Sequence, residues 1–109
     1  MVKYNTAQLN QIYSALSDQT RRGIIVSLTN QTQSAQKLAA PYEMSLPAIS
    51  KHLKVLEKAK LVRREIKGRT HLFSLDVKTL QKASDWLIFH QQFWQQSLSK
   101  LEGFLKTNN

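Results

Sequence analysis

Apolar residues recur at the three- and four-residue spacing of an α-helix through the N-terminal part of the chain. The first such stripe consists of Leu9, Ile12, Tyr13 and Leu16. A second helix is expected after it, because Ser17 or Asp18 can accept a hydrogen bond from an unpaired N–H at a helix start. Its buried side would consist of Ile24, Ile25 and Leu28. A short third helix is predicted to begin at Ser34 and to end before Pro41.

The stretch MSLPAISKHLKVLEKAKL, residues 44–61, has the pattern of a fourth, amphipathic helix. Its apolar side consists of Ile49, Leu53, Leu56 and Ala59, and its other side carries Ser50, Lys51, Lys54 and Lys58. Ser45 is placed to cap this helix, and Pro47 suits the first turn, where a missing N–H costs little. We therefore expect a short helix with a small, hydroxyl-bearing and cationic outer face.

Beyond Leu61 the apolar spacing changes from helical to alternating. The alternating positions are Val62, Ile66, Phe73 and Leu75, on either side of the tetrapeptide KGRT. Alternation over short runs is typical of strands, and a glycine within so short a break predicts a β-hairpin.

Helical spacing returns at Val77 and continues almost to the end of the chain. Leucine or tryptophan recurs every seven residues at Leu80, Leu87, Trp94 and Leu101, and the stripe is widened by Ala83, Phe93, Leu98, Phe104 and Leu105. About thirty helical residues span about 45 Å, which exceeds the body of so small a domain. Part of this stripe is therefore expected to belong to the core and part to an interface with a second chain.

The composition limits the class of protein and its partners. The 109 residues suffice for one domain, 1–109, with a modest core, and the net charge of +9 favours an anionic partner. Cysteine is absent, so there is no disulfide and no thiolate nucleophile. No apolar run is long enough for a signal peptide or a membrane span. We expect a cytoplasmic protein without membrane insertion.

Positive charge is concentrated in residues 51–69, where eight Lys and Arg stand against two acidic residues. A helix that enters a DNA major groove needs short side chains near its start, donors for base edges and cations for phosphates. The fourth helix offers these groups, and Lys67 and Arg69 around Gly68 could reach the backbone or the adjacent minor groove. The predicted fold class is mainly α (α+β), a winged helix-turn-helix with one β-hairpin wing and a long C-terminal helix.

Three ordered segments and the sequence after them resemble the ArsR-type winged-helix repressors. The segments are ALSDQTRRGII, MSLPAISKHLKVLEKAKLV and REIKGRTHLFSLD, followed by SDWLIFHQQFW. The resemblance is greatest to the metal-independent autorepressor, or SdpR-like, subgroup. It covers residues 9 to about 105 and implies a homodimeric repressor that binds a pseudo-palindromic promoter site in double-stranded DNA. Dimerisation would use the N-terminal helix and residues 77–106, with contacts at Leu9, Ile12, Tyr13, Leu87, Trp94, Leu98 and Leu101.

The same resemblance implies which residues contact DNA. The start of the family's recognition helix, which faces the groove, is matched by Ser45, Pro47, Ala48, Ser50 and Lys51. Of these, Ser50 and Lys51 are the expected base readers. Positions near the DNA backbone are matched by His52 and Lys54, and the wing tip is matched by Lys67, Gly68 and Arg69.

Four positions near these motifs carry separate expectations. Gln19 replaces the helix-starting proline that is usual in the family. Lys60 stands where a helix-ending glycine is common, which costs up to about 1 kcal/mol if this residue must adopt a positive φ. Arg21 and Arg22 could reach phosphates, but we favour a role in stabilising the fold.

Metal sensing is the main alternative within the same fold. A tetrahedral zinc site needs four Cys, His or carboxylate ligands, whereas this chain has no cysteine and three scattered histidines, His52, His71 and His90. We therefore expect no metal and no other cofactor. A nucleophile elbow and a Gly-rich phosphate loop are absent from the sequence, so no catalytic residue is assigned and an enzyme is not expected.

A different class of function is a protein-interaction module that retains the winged fold. It would use an aromatic patch formed by Trp86, Phe89, Phe93 and Trp94, since such residues are enriched at interface hot spots. Binding to duplex DNA that weakens steeply with salt would favour the repressor. The sequence names neither the operator nor the signal that releases DNA, which could be a small molecule or a protein effector.

Overall fold

The computed structural model describes residues 5–107 and confirms the predicted fold class. Five helices and three strands follow one another along the chain. They are α1 (Thr6–Leu16), α2 (Gln19–Ser27), β1 (Gln33–Ser34), α3 (Ala35–Ala39), α4 (Leu46–Lys58), β2 (Val62–Lys67), β3 (Thr70–Leu75) and α5 (Val77–Thr107). Strands β2 and β3 with the turn between them form the wing.

Side-chain caps begin the helices at the positions that the sequence indicates. Asp18, and not Ser17, caps α2 by accepting from the N–H of Arg21. Ser34 caps α3 and Ser45 caps α4 in the same way, each accepting from the N–H three residues later. Pro47 lies in the first turn of α4, so this helix begins as predicted.

The three strands form an antiparallel sheet in the order β1-β3-β2. The hairpin of β2 and β3 was predicted, and Gly68 at its turn has a φ of +61°. Strand β1 was not predicted: Gln33 pairs with Phe73 and Ser34 with Leu72. Two residues are too short to show an alternating pattern, so this pairing leaves no trace in the local sequence.

The core lies where α1, α2, α3, α4 and the base of the wing meet. Its largest fully buried side chains are Ile12, Ile24, Leu38, Ile49, Leu53, Leu56 and Leu61. One expectation is corrected here. Ile12 was expected at a dimer interface, but it is 0% exposed within its own chain and has no surface left for a partner. Of the alternating apolar positions in the hairpin, Val62 and Phe73 are buried, whereas Ile66 is 60% exposed because the wing extends beyond the core.

Lys60 lies two residues beyond the end of α4 and adopts the left-handed backbone conformation, with a φ of 63°. Its N–H donates to the carbonyl of Glu57, and the N–H of Leu61 donates to the carbonyl of Leu56. A positive φ at this residue is the condition under which the lysine costs stability relative to glycine. The chain therefore accepts some backbone strain to turn from α4 into β2.

Only the first turns of α5 pack against the rest of the chain. Thr79 and Ala83 are buried, whereas all residues from 91 to 107 are exposed. The large apolar side chains exposed on this helix are Val77, Leu87, Ile88, Phe89, Phe93, Trp94, Leu98, Leu101, Phe104 and Leu105. No helix within the described residues is long and apolar enough to cross a membrane.

Candidate nucleic-acid interface

Helix α4 presents a cationic outer face that is held on the core by its inner face. Ile49, Leu53 and Leu56 are at most 1% exposed and fix the rotation of the helix. On the opposite side Pro47, Lys51, Lys54 and Lys58 are exposed. None of these three lysines forms an ion pair with another described residue. Their charge is therefore available to an anionic partner.

The other residues predicted to face the groove lie on the margins of this face. Ser45 is exposed, but its hydroxyl oxygen already accepts from the N–H of Ala48. Ala48 itself is half-buried. Ser50 is also half-buried and lines a cleft between α4 and the wing. Of the two expected base readers, Lys51 is thus on the exposed face and Ser50 on its side toward the wing.

His52 lies on the side of α4 that faces α2. Its Nδ1 atom is 3.2 Å from Nη1 of Arg21 and 3.8 Å from Oδ2 of Asp18. Arginine has no acceptor, so in the contact with Arg21 the ring nitrogen must accept. His52 therefore connects α4 with the start of α2 through a polar network.

Arg21 and Arg22 both bind the C-terminal end of α1. Nε of Arg21 donates to the carbonyl of Ala15 at 2.6 Å and Nη2 donates to that of Ser14 at 3.2 Å. Nη1 of Arg22 donates to the carbonyl of Leu16 at 2.9 Å. Carbonyls in the last turn of a helix lack the usual partner four residues later, so the two arginines supply donors here, while the carbonyl of Ser14 also accepts from the N–H and the hydroxyl of Ser17. The predicted structural role of both arginines is confirmed.

The wing tip carries the three predicted residues Lys67, Gly68 and Arg69, all of them exposed. Lys67 lies 4.0 Å from the carboxylate of Glu65, a contact between two side chains that are both about two-thirds exposed. Surface pairs of this kind contribute little. The tip therefore remains strongly cationic.

The two arginines nearer the base of the wing are engaged in contacts within the chain. Arg63 forms an ion pair with Asp76 at 3.0 Å. Arg64 pairs with Glu57 of α4 and lies over the ring of Phe73, with 5.1 Å from Cζ to the ring centroid. Neither pair was apparent from the sequence, because the partners come from different elements. Arg64 ties the wing to α4.

Two carboxyl groups at helix starts have lowered pKa values. The N–H of Arg21 donates to Asp18 and lowers the pKa of that carboxyl, an effect that burial opposes and the charges of His52 and Arg21 assist. Burial acts to raise the pKa of Asp76, but the hydrogen bonds from Thr79 and Arg63 outweigh it and lower the pKa below 3.8. Both groups are therefore ionised at neutral pH and stabilise the helices that they precede.

A second candidate surface runs along α1 and α5. Of the residues predicted for a dimer contact, Leu9 is 8% exposed, and Tyr13 is half-buried and donates through its hydroxyl to the carbonyl of Ala83 at 2.8 Å. Further along α5, Leu87, Trp94, Leu98 and Leu101 are between 42% and 60% exposed. The surface is thus formed mainly by α5, with α1 contributing its edge.

Aromatic rings line the part of this surface nearest α1. Trp86 contacts Tyr13 edge-on at 6.0 Å between centroids, and it lies 4.4 Å from His90. Trp94 continues the series at 6.0 Å from His90, stacked on its ring. The structure therefore places three of the predicted aromatic-patch residues, Trp86, Phe89 and Trp94, around a histidine.

The histidines and carboxylates do not come together as a metal site. Within residues 5–107 no group of three or more His, Cys, Asp or Glu side chains has a spacing that could hold a metal ion. His52 and His71 each contact an arginine, and His90 lies among aromatic rings.

Comparison with known proteins finds relatives that regulate transcription. Residues 18–64 match the sequence model described as bacterial regulatory protein, arsR family. Transcriptional repressor SdpR of Bacillus subtilis is 32% identical over 80 residues, which are 73% of this chain and 89% of that protein. An HTH-type transcriptional regulator of Mycobacterium tuberculosis is 33% identical over 90 residues, 83% of this chain and 81% of that one.

The fold has counterparts among solved structures as well. The crystal structure of an ArsR family transcriptional regulator superposes with a TM-score of 0.78 and 32% sequence identity, covering 87% of this chain and 97% of the other. The similarity of fold therefore extends over most of this chain and nearly all of the other.

Proposed function

Since the chain belongs to the ArsR family of bacterial transcriptional regulators, we propose that it is a homodimeric repressor that binds a pseudo-palindromic promoter site. The observation that supports this proposal most strongly is the outer face of α4. Its lysines, Lys51, Lys54 and Lys58, are exposed and form no ion pair within residues 5–107, and the inner face of the helix is fully buried. A rigid helix with a cationic face matches the requirement for entry into a major groove. The family members are regulators and not enzymes, and this chain is no exception.

The homodimer is supported by the apolar surface of α5. It is unfavourable to leave so much apolar surface in water, and the same surface on a second copy of the chain would cover it. The exposed side chains concerned are Leu87, Trp94, Leu98 and Leu101. Two recognition helices held about 34 to 36 Å apart could then enter successive major grooves on one side of the duplex. Occupancy of the promoter would exclude polymerase by steric hindrance.

We further propose that repression needs no metal. The support is the residue inventory, because the chain lacks cysteine and its three histidines lie in separate environments. Release of DNA would then depend on another signal, such as a small molecule or a protein effector.

A second candidate function is a protein-interaction module, which the aromatic surface of α5 favours. Phe93 is 65% exposed and directly precedes Trp94 on α5, a different helix from the one that carries the cationic face. An interaction module of this kind would bind its partner without preference for duplex DNA.

Titration of the protein against duplex DNA distinguishes the two functions. The probe is fluorescently labelled duplex from the region upstream of the chain's own gene, with a scrambled duplex of equal length as the control. A repressor binds the first duplex selectively, with two chains per duplex, and loses affinity steeply as salt increases. Equal weak binding to both duplexes would contradict repression at this promoter.

A further inference from the structure

A cleft of about 440 Å³ separates α4 from the wing. Leu46 and Ser50 line it on the side of α4, and Arg69 and His71 line it on the side of the wing. Leu53 and Phe73, both buried in the core, also line it. Ser34, Ala35 and Gln36 complete the lining. The cleft therefore has an apolar floor and walls from three parts of the chain, namely α4, the wing, and β1 with the start of α3.

Positive charge dominates the walls of the cleft. Two arginines, Arg64 and Arg69, line the cleft, and no acidic residue does. Arg64 is paired with Glu57, so part of its charge is neutralised within the chain. Arg69 forms no ion pair with any residue from 5 to 107. A ligand of this cleft is consequently expected to be anionic.

Arg64 also fixes the hydrogen-bonding character of His71. Its Nη1 atom lies 3.3 Å from Nδ1 of the imidazole, and because arginine only donates, Nδ1 must accept. A neutral imidazole that accepts at Nδ1 carries its proton on Nε2. His71 is therefore a hydrogen-bond donor at Nε2, positioned by Arg64.

Ser50 faces a different direction from its neighbour Lys51. Consecutive residues of an α-helix are turned by about 100°, so the two side chains cannot share one direction. Lys51 lies on the exposed face, and Ser50 is half-buried against the cleft. The hydroxyl of Ser50 is thus directed toward the wing and away from the centre of the cationic face.

Duplex geometry indicates what lies in the cleft when DNA is bound. If α4 enters the major groove and the wing reaches the adjacent minor groove, the sugar-phosphate backbone that separates the two grooves must pass between them. The space between α4 and the wing is this cleft. A phosphodiester is anionic and accepts hydrogen bonds, which matches the arginine and the donors on the walls.

We infer that the cleft receives one phosphate of the DNA backbone in each half-site, with Ser50 and His71 donating to it and Arg69 supplying charge. This inference rests on the proposed function and refines it. Ser50 becomes a backbone contact and not a base reader, whereas Lys51 keeps the reading of base edges. Arg64 is a positioning residue, since it acts through His71.

The test uses the change of Ser50 to alanine, with Ser99→Ala as the matched control. Ser99 is exposed on α5, far along the chain from the cleft, and both variants remove one hydroxyl from a helix. Affinities of parent and variants are measured for the cognate and the scrambled duplex. Ser50→Ala should weaken binding to both duplexes by about tenfold for each half-site, or about a hundredfold for the dimer, so that their ratio stays constant, because each lost hydrogen bond to a charged group costs about tenfold. Ser99→Ala should bind as the parent does.

A scan of the cognate duplex with single methylphosphonates locates the phosphate. At one position in each half-site the neutral linkage should weaken binding by the parent about tenfold. The same linkage should weaken binding by Ser50→Ala and by His71→Ala much less, because these variants already lack one donor to that phosphate. Equal losses in parent and variants at every position would overturn the inference, as would a change of the cognate-to-scrambled ratio in Ser50→Ala. If the parent bound no duplex at all, the proposed function would fail together with this inference.

Discussion

Nη1 of Arg21 on α2 lies 3.2 Å from Nδ1 of His52 on α4, and the same guanidinium group donates to two carbonyls at the end of α1. One side chain thus connects three helices. Because α4 carries the cationic face, this connection and the buried inner side of α4 together hold that face in place. The network is part of the fold, and it also positions the candidate DNA-binding surface.

Arg21→Ala is expected to lower the free energy of unfolding by about 1 to 3 kcal/mol, since it leaves the carbonyls of Ser14 and Ala15 without this partner. Arg22→Ala is the matched control. It removes one bond, to Leu16, from an exposed side chain and should cost less. Urea denaturation followed by circular dichroism gives both values. Equal losses in the two variants would show that the Arg21 network does not carry the stability assigned to it.

Lys60→Gly is expected to stabilise the protein by up to about 1 kcal/mol, because glycine adopts the φ of 63° without the strain of a side chain. The same change at Lys54, within α4, should destabilise by about 0.5 to 1 kcal/mol. Thermal and urea unfolding compare the variants with the parent. A destabilised Lys60→Gly variant would contradict the strain attributed to this turn.

The lowered pKa of Asp76 predicts loss of stability in acid. A carboxyl whose pKa is lower in the folded than in the unfolded chain stabilises the fold above its unfolded pKa, near 3.8, and this contribution is lost as the pH falls through the folded value. Asp76→Asn retains a side chain that can cap α5 but does not titrate. Its unfolding free energy should therefore fall less than that of the parent between pH 6 and about pH 2.5.

The control for this pH dependence is Asp85→Asn, an exposed position on α5. That variant should follow the parent over the whole range. If Asp76→Asn lost as much stability in acid as the parent, the pKa of Asp76 would not be the source of the effect.

The apolar stripe on α5 predicts that Leu98→Glu separates the proposed dimer. Leu98 is 60% exposed in the single chain, and burying a carboxylate there against a second copy would be unfavourable. Gln95→Glu introduces the same group on the polar side of the helix, where Gln95 lines a surface with Gln92, Gln96 and Ser99. Sedimentation velocity should show dimers for the parent and Gln95→Glu and monomers for Leu98→Glu. An unchanged dimer in Leu98→Glu would place the interface elsewhere.

Structural features that depend on residues close together in the sequence could be predicted. The caps at Asp18, Ser34 and Ser45 are confirmed because each depends on a bond to a residue three positions away. The hairpin turn at Gly68 and the strained turn at Lys60 are local in the same sense. The order of the helices and the hairpin also follows from the apolar pattern along the chain, and the structure has the same order with β1 added.

Contacts between distant residues could not be predicted. Strand β1 exists only through its pairing with β3, and Arg64 meets Glu57 across two elements. The apolar pattern of α1 showed which residues are buried but not what covers them, so Ile12 was assigned to an interface although it lies in the core. The half-buried position of Ser50 follows from the path of the wing, which local periodicity does not contain.

The central claim is that α4 reads the operator, and the direct test is the affinity ratio between cognate and scrambled duplex for the parent and for Lys51→Ala. Fluorescence anisotropy at constant salt gives both values, with Lys78→Ala, an exposed lysine on α5, as the charge-matched control. Lys51→Ala should weaken cognate binding by about 1 to 3 kcal/mol and reduce the ratio, while Lys78→Ala should keep it. A ratio near one for the parent, or an unchanged ratio in Lys51→Ala, would contradict the account.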